Sequence, residues 1–156
     1  MIDRNREDSS TIRISAESRD VVRKMKEHEL LSLGMGEGDS NTKDIYLLAV
    51  ALGLGMPTER MNDPKSWTRA SYFELEDKAL LRSILLGTLD STEDIASHGD
   101  LKEALNYCKQ FTDAGFRRID EFAADAMYDP DLMVRKMLDY VDSKYDEVIK
   151  DNSQCL

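Results

Sequence analysis

Apolar residues recur every three or four positions along most of this chain. That period marks helices buried along one face. From Ala16 to about Leu31 the stripe is Val21, Val22, Met25 and Leu30, with Arg19, Arg23, Lys24 and Lys26 mainly off it. From Ile45 to Leu52 the chain is apolar almost all round, which predicts a core helix over 43–53. Asn41 or Thr42 caps it, and Gly53, Gly55 and Pro57 stop it. Leu75, Ala79, Leu80, Ile84 and Leu85 predict a helix over 74–87, opened by a capping-box spacing from Ser71 to Glu74. One helical period then runs from Leu101 to Ala126, straight through Gly115, and predicts a single long helix over 100–126. An internal glycine costs about 1 kcal/mol against alanine, so close packing against a neighbour is expected there. Asp129-Pro130 is a strong start for a last helix over 130–150, with Val134, Met137, Leu138, Val141, Tyr145 and Val148 as its apolar positions.

Only Thr11 to Ser15 alternates with the two-residue period of a strand, with Ser15 placed to cap the following helix. Residues 56–70 read as irregular, and Trp67, Tyr72 and Phe73 as a cover over one edge of the core. The pattern therefore predicts a mainly α, single-domain helical bundle with at most a short N-terminal β element. Its core centres on helix 43–53, packed by helices 16–31, 74–87, 100–126 and 130–150. Residues 1–10 read as a disordered tail, 11–150 as the helical domain and 151–156 as a frayed C-terminus.

Composition narrows the function. The chain has 156 residues, 33% of them charged, and a net charge of −10. The first thirty residues balance seven basic against seven acidic side chains, whereas residues 71–156 hold ten against nineteen. An acidic surface repels phosphate backbones, so the C-terminal helices are expected to meet a basic or apolar protein surface rather than nucleic acid. No apolar run spans a bilayer and the polar start lacks a signal-peptide core, so a cytoplasmic location without membrane contact is expected.

Little chemistry is legible. Gly34, Gly36 and Gly38 lack the Gly-Lys-Ser/Thr ending of a P-loop and follow a helix rather than a strand, so they read as a connector. Glu93, Asp94, His98 and Asp100 form the one local cluster able to hold a cation, but carboxylates ahead of a helix more often serve as caps. Cys108 lies on an apolar stripe and reads as a core residue, and Cys155 as an exposed thiol near the C-terminus. No catalytic residue, cofactor or metal is expected. The residues best placed to contact DNA or a partner are Arg13, Arg19, Arg23, Lys24 and Lys26. If the strand faced a major groove, Thr11, Arg13 and Ser15 would point outward and Ile12 and Ile14 inward.

Two segments carry a resemblance. IRISAESRDVVRKMKE, followed by NTKDIYLLAVALGLGM, resembles small prokaryotic proteins of the Dnd system-associated protein 4 type. The matching residues are Thr42, Lys43 and Asp44, which open the apolar helix, and Ala51, Leu52 and Gly53, which end it. ELEDKALLRSIL and YCKQFTDAGFRRIDEF are similar to the family's later helices, so the likeness spans about residues 11–123. It implies a link to DNA phosphorothioation and its restriction systems. The family carries no agreed catalytic residues to transfer, and the helix beyond Asp129 lies outside the likeness. The expected function is a non-enzymatic helical interaction or accessory protein with a protein partner, homo-oligomers included. The rivals are a DNA-binding regulator using the N-terminal strand and helix, and an enzyme whose site the sequence does not reveal.

Overall fold

A computed structural model describes residues 10–30, 39–58, 60–88 and 100–153 of the chain. The tail up to Ser9, the glycine-rich connector at 31–38, Glu93, Asp94, His98 and Cys155 lie outside the described residues. The architecture is mainly α. Strand β1 (Thr11–Ile14) leads into helix α1 (Ala16–Glu27) and then α2 (Asp39–Gly53). Strand β2 (Lys65–Arg69) and a 3-10 turn (Ala70–Tyr72) follow, then α3 (Leu75–Leu86), α4 (Leu101–Asp125) and α5 (Pro130–Ser153).

The caps explain most of these boundaries. Ser15 Oγ accepts from Ser18 N at 3.1 Å and starts α1. Asp100 accepts from Lys102 N at 3.0 Å to start α4, and Asp129 accepts from Leu132 N at 2.8 Å to start α5. The start of α3 differs from expectation. Its N-cap is Glu74, in a reciprocal capping box with Asp77, while Ser71 sits in the preceding 3-10 turn.

β2 falls in the segment that reads as irregular. Its residues Lys65, Ser66 and Arg69 are polar, so it has no apolar alternation of its own. It is a strand because β1 supplies the partner: Thr11 pairs with Arg69 and Ile12 with Thr68, and after a bulge Arg13 pairs with Ser66 and Ile14 with Lys65. Ile12 and Ile14 are buried beneath the ribbon, and Trp67 meets Phe116 edge-on at 5.9 Å. Phe73 is buried as expected of a core cover, whereas Tyr72 is exposed.

Among the described residues, α4 packs against the four other helices and β1. α2 crosses it at backbone contact. A Cβ added to Gly115 would lie 1.6 Å from the carbonyl oxygen of Ala49, and one added to Gly53 would lie 2.0 Å from that of Phe111. Gly115 therefore sits inside a continuous helix, touching another helix at short range. Ile45, Ala49 and Leu52 are buried together, but Leu48, expected among them, is only half-buried. A helix apolar on every side has more apolar faces than its neighbours cover, and Leu48 lies at the margin.

The largest departure concerns α5. Its expected apolar stripe does not pack on the core. Met133 is buried, and Leu132, Met137 and Tyr140 pack partly, but Val134, Leu138, Val141, Tyr145 and Val148 stand in solvent. A stripe has the same spacing whether its own core or another molecule covers it.

The crossing of α2 and α4 yields a prediction. Gly115→Ala, normally mildly stabilising in a helix, should lower stability by about 3 kcal/mol, because the atom it meets is backbone and cannot rotate away. Urea unfolding measures this, and an unchanged midpoint would remove the crossing from the fold.

Candidate functional site: an uncovered helix face and a cationic groove

The five basic residues singled out in the N-terminal region do not form one patch. Arg19 donates from Nη1 to the carbonyls of Ile14 (3.1 Å) and Asp63 (3.0 Å), and from Nη2 to Asp63 Oδ2 (3.0 Å). It staples β1 to the loop before β2. Arg23 pairs with Asp20 at 3.1 Å. Lys24 bridges to Asp120 on α4 at 2.9 Å, and that hydrogen bond raises the ammonium above its usual range. Lys26 is exposed. Ser15, expected to point outward with Thr11 and Arg13, turns inward and is buried as the α1 cap.

Arg23 and Lys24 line a groove of about 500 Å³ that they share with Asp20, Asp120 and Glu121, whereas Arg13 opens onto another, of about 840 Å³, between β1, the 60–64 loop and α4. Arg60 and Lys109 line the same groove over a floor that includes Ile12 and Leu105. No acidic residue lines it among the described residues. These cations come from three distant segments, so charge counting along the chain could not gather them.

Two groups of buried polar side chains among the described residues have structural tasks. Asp113 Oδ1 accepts from Ser15 Oγ at 2.6 Å and from Ser18 Oγ at 2.7 Å. All three residues are buried, so this cluster ties the start of α1 to α4 and is out of reach of a substrate. Cys108 is buried too, and burial pushes its thiol up to about 12, far from nucleophilic readiness at neutral pH. Among the described residues no group of three His, Cys, Asp or Glu side chains is arranged to hold a metal, and no helix is long and apolar enough to cross a membrane.

Lys43, central to the motif behind the resemblance, has a structural task. Its ammonium lies 2.8 Å from Asp77 and 3.5 Å from Glu74, the two residues of the α3 capping box. Asp77 Oδ2 also accepts from Glu74 N at 2.9 Å. The pair thus joins the first turns of α2 and α3.

The most exposed chemistry is apolar. On α5, Val134, Leu138, Val141, Tyr145 and Val148 recur at spacings of four and three residues, and each is between 44% and 66% exposed. The helix docks through its first half only. Phe122 of α4 meets Tyr140 edge-on at 5.5 Å, and the Arg118 guanidinium lies 5.1 Å from the Tyr140 ring centre. From Val141 to Asp151 every residue is exposed. The uncovered seam lies about 100° round the helix from Met133 and Tyr140, the docked side. Met127, in the turn before α5, is 82% exposed as well.

No family model, curated protein or solved structure matches this chain.

The Lys43 pair sets a pH dependence. Hydrogen bonding to Asp77 raises the Lys43 ammonium above 10.5 in the folded chain. A raised cation stabilises fully below its unfolded value and loses that contribution as pH climbs through the folded one. Wild-type stability should therefore fall more steeply above about pH 10.5 than that of Lys43→Met. Parallel denaturant titrations across that range would show equal slopes if the pair contributed nothing.

Proposed function

We propose that this chain is a non-enzymatic interaction protein whose working surface is the uncovered face of α5, which receives an amphipathic helix. The observation behind this reading is the seam from Val134 to Val148, apolar at heptad spacing yet exposed. Isolated apolar side chains on a surface are ordinary, but a continuous stripe at the spacing of helix pairing calls for a covering helix. The flanks of the seam are charged on both sides of neutrality, with Arg135, Lys136, Lys144 and Lys150 among six acids on α5. That composition suits a protein surface better than a phosphate backbone. On the resemblance to Dnd system-associated proteins, the setting we propose is a prokaryotic DNA-modification or defence system, with the chain as an accessory in its cytoplasmic machinery.

The test places a photo-crosslinking residue at Val141, and separately at exposed Lys26, in the full chain within its native cells. Val141 should give protein adducts of defined mass and Lys26 should not. Absence of adducts from Val141 would end this reading.

The second reading, DNA binding through the N-terminal strand and helix, is supported by the groove that holds Arg13, Arg60 and Lys109. Three cations give a shallow salt dependence and weak affinity, and Arg19, Arg23 and Lys24 are occupied by carboxylates. Gel shifts should show duplex DNA bound only at low salt, if at all. Tight binding at physiological salt that Arg13→Ala weakens would favour this second reading over the first.

A further inference from the structure

The seam on α5 has a periodicity, and the charges beside it have a pattern. Numbered as heptads, Leu138 and Tyr145 take the a positions, and Val134, Val141 and Val148 the d positions. One flank, the e positions, carries Arg135 and Asp142; the other, the g positions, carries Met137 and Lys144. Arg135 and Asp142 are exposed, and neither makes an ion pair with another described residue.

Resting on the reading that this face receives a helix, we infer that the helix is α5 of a second copy, paired antiparallel about a two-fold axis. In an antiparallel pair the a residues pack opposite d residues, and the e flank of one helix meets the e flank of the other. Setting Leu138 opposite Val141 of the second copy also sets Val134 opposite its Tyr145. In that register Arg135 meets Asp142 of the second copy, and symmetry makes the contact twice. On the other flank Met137 meets Lys144, whose aliphatic stem covers the thioether. No like charges face each other.

The alternatives are poorer. An antiparallel shift of one heptad brings Asp142 against Asp142 and Lys144 against Lys144 across the axis. A parallel pair sets Met137 beside Asp142 and Lys144 beside Ile149, with no ion pair. In the favoured register Val148 reaches the first turn of the other copy's α5, opposite its Asp131 and beside its exposed Met127. Asp131, at the next a position, closes the seam at that end. The arrangement is isologous, so it closes as a dimer and does not propagate.

The experiment is sedimentation of the purified full chain from about 1 to 500 μM, the range that a short seam requires. The mass should rise with concentration from 17.8 kDa to twice that value. Leu138→Asp with Val141→Asp should hold the chain monomeric while its circular dichroism spectrum stays helical, since both positions are exposed. Arg135→Asp alone and Asp142→Arg alone should each weaken association about tenfold, because each sets like charges together. The two changes combined should restore it. A wild-type monomer throughout, a dimer that survives Leu138→Asp with Val141→Asp, or a combined swap that fails to restore association would each overturn the pairing. A monomer in solution whose Val141 still crosslinks to a different protein in cells would overturn self-pairing while leaving the interaction reading in place. A Val141 position that crosslinks to nothing would remove both.

Discussion

The fold depends on one backbone contact, the crossing of α2 over α4 at Gly53 and Gly115. With no side chain at either position, Gly53 meets the carbonyl of Phe111 and Gly115 that of Ala49. Helices this close leave no room for large residues between them, and their bulk must pack to the sides. Tyr46 and Phe116, both fully buried, pack their rings against Phe73 and Trp67. The other elements are arranged about α4, which carries side chains buried toward α1, α3 and β1. A glycine that looks like a defect in an isolated helix is therefore what lets the hub form.

Around that hub the polar groups serve the fold. Asp113 gathers Ser15 and Ser18, so the hydroxyl that caps α1 also fixes α1 against α4. Lys24 and Asp120 repeat the connection farther along the same pair of helices. Arg19 closes the ribbon end of the molecule. Of the basic residues that stand out in the N-terminal sequence, Arg19 and Lys24 are thus held by carboxylates from distant segments and Arg23 by its neighbour Asp20. This is why charge density read along the chain overstates what the surface presents.

Several helix starts were legible because caps and periods are local, although α2 begins at Asp39, ahead of the expected cap at Asn41 or Thr42. Ser15, Asp100 and Asp129 announce their helices, and the stripe through Gly115 announces one helix rather than two. What was not legible depends on contacts distant in sequence. β2 exists through its pairing with β1, some fifty residues away. Glu74 displaces Ser71 as a cap because Asp77 and Lys43 converge on it. The groove draws Arg13, Arg60 and Lys109 from three segments. On α5 the positions were read correctly and their burial was not, because periodicity reports a face and says nothing of which molecule covers it.

The uneven docking of α5 has a consequence for how that helix forms. Residues 130–140 gain helical structure together with burial of Met133 and the stacking about Tyr140. From Val141 to Asp151 every side chain is exposed, so these turns rest on backbone hydrogen bonds, intrinsic propensity and local pairs such as Lys144 with Glu147. Unsupported helices of this length are marginal in water. The docked half acts as a preformed nucleus, relieving the distal half of the costly initiation step. If a helix covers α5 as proposed, covering the distal turns is a helix–coil transition that the partner helix draws to completion. Part of the contact energy goes into ordering backbone, which favours an association that is specific in register and readily reversed.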